Sequence, residues 1–110
     1  MNLLMGHLVG DYLLQNDWMA LNKKRSSWHC GVHCLLYTLA IALFTGWPVL
    51  PLAVVATTHF AIDRTGVVLG WMKLIGQSRF SEPPMGPWSI VVVDNTMHLL
   101  VLYITSLVIA

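Results

Sequence analysis

From Ser26 to Ile62 the chain carries no Asp, Glu, Lys or Arg. A small water-soluble fold exposes much of its surface and cannot leave so long a stretch without charge. The stretch is interrupted by Gly46-Trp47-Pro48, where glycine permits a reversal and proline cannot continue a helix. Two apolar segments of helical length around one uncharged turn predict helices that cross a membrane. The rest of the chain agrees. Charged residues make up 10% of it, against about 25% in ordinary soluble domains, and mean hydropathy is +0.67. A net charge of +1 supplies no basic stripe, so nucleic acid is not expected as a partner.

Turn and charge signals divide the chain into four segments, at 2–22, 28–45, 49–76 and 88–109. They predict an all-α polytopic membrane protein, one domain over 1–110, with four transmembrane helices forming a small bundle. Lys23, Lys24 and Arg25 follow the first segment, and Lys73 and Arg79 border the loop from Gln77 to Pro87. The Gly46 turn has no basic residue. Basic loops favour the cytoplasmic side, which places both termini outside. Trp18, Trp28, Trp47, Trp71 and Trp88 fall near segment ends, as in an interfacial belt.

The polar residues left inside these segments are patterned. His7 and Asp11, His29 and His33, His59 and Asp63, and Asp94 and His98 are each four apart, and together they account for all five histidines. Residues at i and i+4 share one helix face. Gln15 extends the first stripe, and Gly6 and Gly10 beside it have the small-xxx-small spacing that lets helices approach closely in lipid. Gly66 and Gly70 leave similar room near the stripe of His59. At about 1.5 Å per residue from the basic loops, Asp11, Asp63 and His98 reach roughly the same depth, about 15 Å. An Asp at the centre of a membrane helix costs about 2.5–3.5 kcal/mol, so these groups are expected to turn inward and meet.

A convergence of His and Asp suits a divalent ion: Zn accepts both donor types, and Mn, Fe or Mg accept carboxylate-rich sites. The expected ligands are His7, Asp11, His59, Asp63 and His98, with His33 and Asn95 as further candidates. Asp94 is expected to act as a free general base, and Gln15 to orient substrate. A metal-held water acidified toward neutrality would make the site a hydrolase, with a lipid or lipid-linked substrate on the cytoplasmic side. Two alternatives stay open: a conduit for protons or metal ions, and a structural or assembly subunit whose polar pairs join helices. Membrane lipids are the expected surroundings, and so short a chain is expected to need copies of itself to enclose a site. Cys30 and Cys34, one turn apart, are expected as small apolar fillers.

The opening Gly6-His7-Leu8-Val9-Gly10-Asp11-Tyr12-Leu13-Leu14-Gln15-Asn16-Asp17-Trp18-Met19-Ala20 closely resembles the start of small bacterial and phage membrane proteins grouped as domain of unknown function 3307. The resemblance continues through His33, His59-Phe60-Ala61-Ile62-Asp63 and Asp94-Asn95-Thr96-Met97-His98. Departures are Gly66, where the family often has lysine, and Asn95, where it often has glutamine; Arg64 or Lys73 would have to take the place of that lysine. The resemblance implies a bacterial cytoplasmic-membrane location and names no activity. Membrane-bound metal-dependent hydrolases are similar in residue type alone.

Overall fold

The computed structural model describes residues 2–77, 79, 81–84 and 86–109, so Ser78 of the expected loop lies outside the described residues. Every regular element among them is helical: α1 (Asn2–Leu8), a π-helical turn (Val9–Leu13), α2 (Asp17–Asn22), α3 (Ser27–Thr45), α4 (Val49–Arg64), α5 (Val67–Leu74) and α6 (Gly86–Ile109). Helix α3 packs against α1 and α4, and α6 closes the bundle against α4 and α5.

Local chemistry explains the ends. Gly46 closes α3 in the left-handed conformation, at φ 68°, with its N–H on the Ala42 carbonyl. Extended backbone at Pro48 then starts α4, with Pro51 in the first turn, where a missing N–H costs no helical bond. Gly6 and Gly10 make the expected close approach to α3. A Cβ on Gly10 would lie 2.7 Å from Tyr37 Cδ2 and 3.0 Å from Tyr37 Cα, and one on Gly6 would lie 3.3 Å from Ile41 Cα.

Two of the expected rods are broken. The segment 2–22 stops at Leu14–Asn16: Asn16 takes extended backbone, and its Oδ1 accepts the Met19 N–H at 3.1 Å, capping a new helix instead of continuing the old one. The segment 49–76 bends by 70° between α4 and α5, where Thr65 is extended and Gly66 follows. Side chains hold that corner. Lys24 Nζ donates to the carbonyls of Asp63 (3.0 Å) and Thr65 (3.1 Å) at the end of α4, and Arg64 Nη1 donates back to the Lys24 carbonyl at 2.5 Å. Cations suit a helix C-terminus, where carbonyls are left unpaired.

Two helices, Ser27–Thr45 and Trp88–Ile109, are long and apolar enough to cross a membrane, and three spans result if the bent pair counts as one. Of the four crossings expected, these two or three are long and apolar enough among the described residues, and α1 and α2 are each too short alone. The exterior fits lipid. Leu43, Val49, Leu74 and Val108 are about four-fifths exposed, whereas His7, His33, His59, Asp63 and His98 are almost fully buried. Polar side chains inside and apolar ones outside reverse the arrangement of a soluble domain.

Two apolar clusters flank the buried polar groups. Tyr37, Ile41, Val55 and Leu102 close one end of the bundle, with Leu3, Trp47, Leu52 and Leu99 packed around them. Ile62, Val68 and Met72 bind α5 to α6. Trp47 thus joins the interior, while Trp18, Trp28, Trp71 and Trp88 remain exposed.

Candidate metal centre

The one-turn spacing of His59 and Asp63 on α4 puts both on the face that meets α3, which contributes His33; Asp11 enters from the π-helical turn. The extra backbone of that turn carries Gly10 against Tyr37 and leaves Asp11 buried opposite His33. His33 Nε2 lies 2.9 Å from Asp63 Oδ2, 3.1 Å from Asp11 Oδ1 and 2.9 Å from His59 Nε2. His59 Nε2 lies 3.0 Å from Asp63 Oδ2 and 3.5 Å from Asp11 Oδ1. Four donor atoms from three parts of the chain therefore surround one point.

Neighbouring groups hold them there. Tyr37, His59 and His98 form a column of stacked rings, with centroids 3.8 and 4.0 Å apart. His98 Nε2 is 3.0 Å from Asp63 Oδ1 and 3.5 Å from Asp94 Oδ1. Lys23 Nζ donates to Asp63 Oδ2 at 3.3 Å and to Gln15 Oε1 at 3.1 Å. His7 sits one layer out: Nδ1 pairs with the Tyr37 hydroxyl at 2.7 Å and Nε2 with Asn95 Oδ1 at 2.8 Å. The Asn95 amide in turn donates to the Tyr12 hydroxyl.

Of the residues expected from the sequence, Asp11, His33, His59 and Asp63 form one group able to hold a metal ion, and Asp11, Asp94 and His98 form another. His7 and Asn95 join neither, because they bond to each other. Gln15 supports Lys23 and donates to the Asp11 carbonyl, outside both groups. His29, the partner expected for His33, packs against Trp18 instead, ring centroids 4.1 Å apart and tilted by 41°. Three contributors escaped the sequence reading. Tyr37 lies one turn beyond His33, so its spacing was a usable signal, whereas Tyr12 and Lys23 are placed by tertiary packing. Cys30 and Cys34 are buried free thiols, their sulfurs 3.9 Å apart.

The donor set fits a cation on two counts. Ligand bonds of about 2.0–2.1 Å around a tetrahedral ion set its donors about 3.3 Å apart; the spacings that involve His33 and His59 run from 2.9 to 3.5 Å, and all four donors lie within 4.8 Å of one another. Both Asp11 oxygens are buried, and the nitrogen nearest Oδ1, His33 Nε2 at 3.1 Å, is shared with Asp63 and His59. Among the described residues His33 and His59 leave Nδ1 unpartnered, so their polar contacts all pass through Nε2 into the cluster. With neutral imidazoles, the carboxylates of Asp11, Asp63 and Asp94 face one ammonium, that of Lys23. Buried charge in such excess is costly, and a divalent ion offsets it. At Lys23 burial works against the ammonium, but Asp63, Asp94 and Asp11 outweigh it and hold the pKa above its ordinary 10.5.

Asp94 also faces outward. It lines a cavity of about 180 Å³ with Lys23, Lys24, Thr65, Gly66 and the apolar side chains of α5 and α6. The corner at Thr65–Gly66 forms one wall, and Gly66 keeps it open, with nothing within 4 Å of where a Cβ would stand.

Fold and site together define a small all-helical chain with an apolar exterior, suited to a membrane, and a buried His/Asp cluster able to hold a metal ion. The family described as Protein of unknown function (DUF3307) matches residues 1–110, and the chain belongs to it. No curated protein and no solved structure matches the chain.

Proposed function

We propose that the protein is a membrane-embedded, metal-dependent hydrolase acting on a lipid or lipid-linked substrate from the side that carries Lys23, Lys24 and Arg25. The observation that carries this reading is the convergence of Asp11, His33, His59 and Asp63 beside a cavity lined by both charged and apolar side chains. A divalent ion such as Zn, Mn, Fe or Mg held there supplies a water acidified toward neutrality, able to attack an ester or phosphoester. The chain's own groups do the rest. Asp63 fixes His33, His59 and His98 around itself, Lys23 faces incoming negative charge, and Val68, Leu69, Ile90 and Val91 offer an acyl chain a dry wall.

In this reading α1 and its π-helical turn insert beside the longer helices, completing a fourth, broken crossing. The protein lies in the bacterial cytoplasmic membrane with both termini outside, and a second copy would enclose the open side of the cavity. A through-going conduit fits less well: beyond Tyr37 the polar groups end against Ile41, Val55 and Leu102. A purely structural role leaves unused the cavity that Asp94 lines beside the cluster.

Metal analysis of protein purified in detergent without chelators tests the proposal. A stoichiometric divalent ion, lost in Asp63→Asn together with hydrolysis of a panel of phospholipid and lipid-phosphate esters, is the expected result. No stoichiometric ion, or metal-dependent ion flux in liposomes abolished by Asp63→Asn, would overturn it.

A further inference from the structure

The four-donor group does not use every carboxylate oxygen at the centre. Asp63 turns Oδ2 toward His33 and His59, at 2.9 and 3.0 Å, and Oδ1 toward His98 at 3.0 Å. One carboxylate therefore faces two sets of imidazoles in opposite directions. Asp11 is likewise common to both groups: it offers a carboxylate oxygen within 4.8 Å of donor atoms of Asp94 and His98, and one within 4.8 Å of those of the first set. Its side chain is 7% exposed; Oδ1 lies 3.1 Å from His33 Nε2, a nitrogen that Asp63 and His59 also share, and Oδ2 lies 3.6 Å from His7 Nδ1. A buried carboxylate set between two groups of ligating atoms has the surroundings of a bridging ligand.

We propose that Asp11, Asp94 and His98 hold a second divalent cation beside the first, with Asp11 shared and Asp63 Oδ1 reaching the second ion while Oδ2 serves the first. The proposal rests on the metal-dependent reading of the four-donor group. It makes Asp94 a ligand, in place of the free base expected from the sequence. Paired ions about 3.5–4 Å apart clamp the attacking and departing oxygens of a displacement, and this pair would differ in strength. The first position has two histidines and is buried throughout, whereas the second has one histidine and a partly exposed Asp94 at the cavity. Two ions beside Lys23 leave surplus positive charge facing that cavity, which favours a substrate with an anionic group at the scissile bond, as in a phosphoester.

Titration of the detergent-purified, metal-stripped chain with Mn2+ alone distinguishes the possibilities. Equilibrium binding is expected to give two ions per chain, the second at least about tenfold weaker, with a spin-coupled signal from the pair at saturation. Asp94→Asn is expected to retain one tightly held ion and lose the second together with the coupling, while its thermal midpoint without metal stays that of the parent. One ion per chain at saturation, or two uncoupled ions, would overturn the second position and leave the first standing. No binding at all would overturn both. Binding lost entirely in an Asp94→Asn chain of unchanged midpoint would overturn the division of ligands between the two positions.

Discussion

Asp63 touches more of the centre than any other side chain in the cluster, meeting His33, His59, His98 and Lys23 with both oxygens buried. Asp63→Asn keeps the shape but removes the charge and one acceptor. Its cost in metal affinity should therefore exceed the roughly 10–100-fold typical of an outer-layer partner, as read by competition with a chelating dye. Tyr37→Phe is such an outer-layer change. It strips His7 Nδ1 of its hydrogen bond, and is expected to cost about 1–3 kcal/mol of stability with a milder loss of metal affinity. Lys23 sets the alkaline limit. Its pKa is raised on folding, so its contribution is complete below the unfolded value of 10.5 and is lost only as pH rises through the higher folded value. Thermal midpoints followed from neutral to strongly alkaline pH should fall in the parent above 10.5, whereas Lys23→Met, less stable at neutral pH, should lack that fall.

The helices make contrasting demands on their glycines. Gly10→Ala drives a methyl into the side chain and backbone of Tyr37, an overpacking expected to cost about 1–3 kcal/mol. Gly70→Ala, with open space around it inside α5, is expected to be neutral or to stabilise by up to about 1 kcal/mol. Unfolding in detergent compares the two directly. The one-turn spacing of His59 with Asp63 and of Asp94 with His98 was legible in the sequence, and so was the close approach at Gly6 and Gly10. The breaks at Asn16 and Thr65 were not, because hydropathy and length describe how far an apolar run extends, not where its backbone hydrogen bonds stop. Asn16 caps α2 from inside such a run, and the exchange between Lys24 and Arg64 joins segments far apart in sequence. His33 was undervalued for a related reason. Its one-turn neighbour His29 turned away to Trp18, and its true partners come from α4 and the π-helical turn.

The molecule as a whole has its solvent preference inverted, with Asp11, Asp63 and four of the five imidazoles enclosed and most large apolar side chains outside. The chain should remain with membranes after an alkaline carbonate wash and leave them only in detergent; release by the wash would contradict insertion. Its long dimension of 40 Å is close to the full thickness of a bilayer including headgroups, about 40–45 Å. The packing of Tyr37, Ile41, Val55 and Leu102 gives the interior a floor. With a floor on one side and an opening beside Asp94 on the other, the proposed hydrolase would take in substrate and release product by the same door. A chelator unable to permeate sealed vesicles would thus silence the protein from one compartment and be invisible from the other. If the proposed hydrolysis takes place, its product would return to the side the substrate came from, and the protein would change what a membrane leaflet contains without moving anything across it.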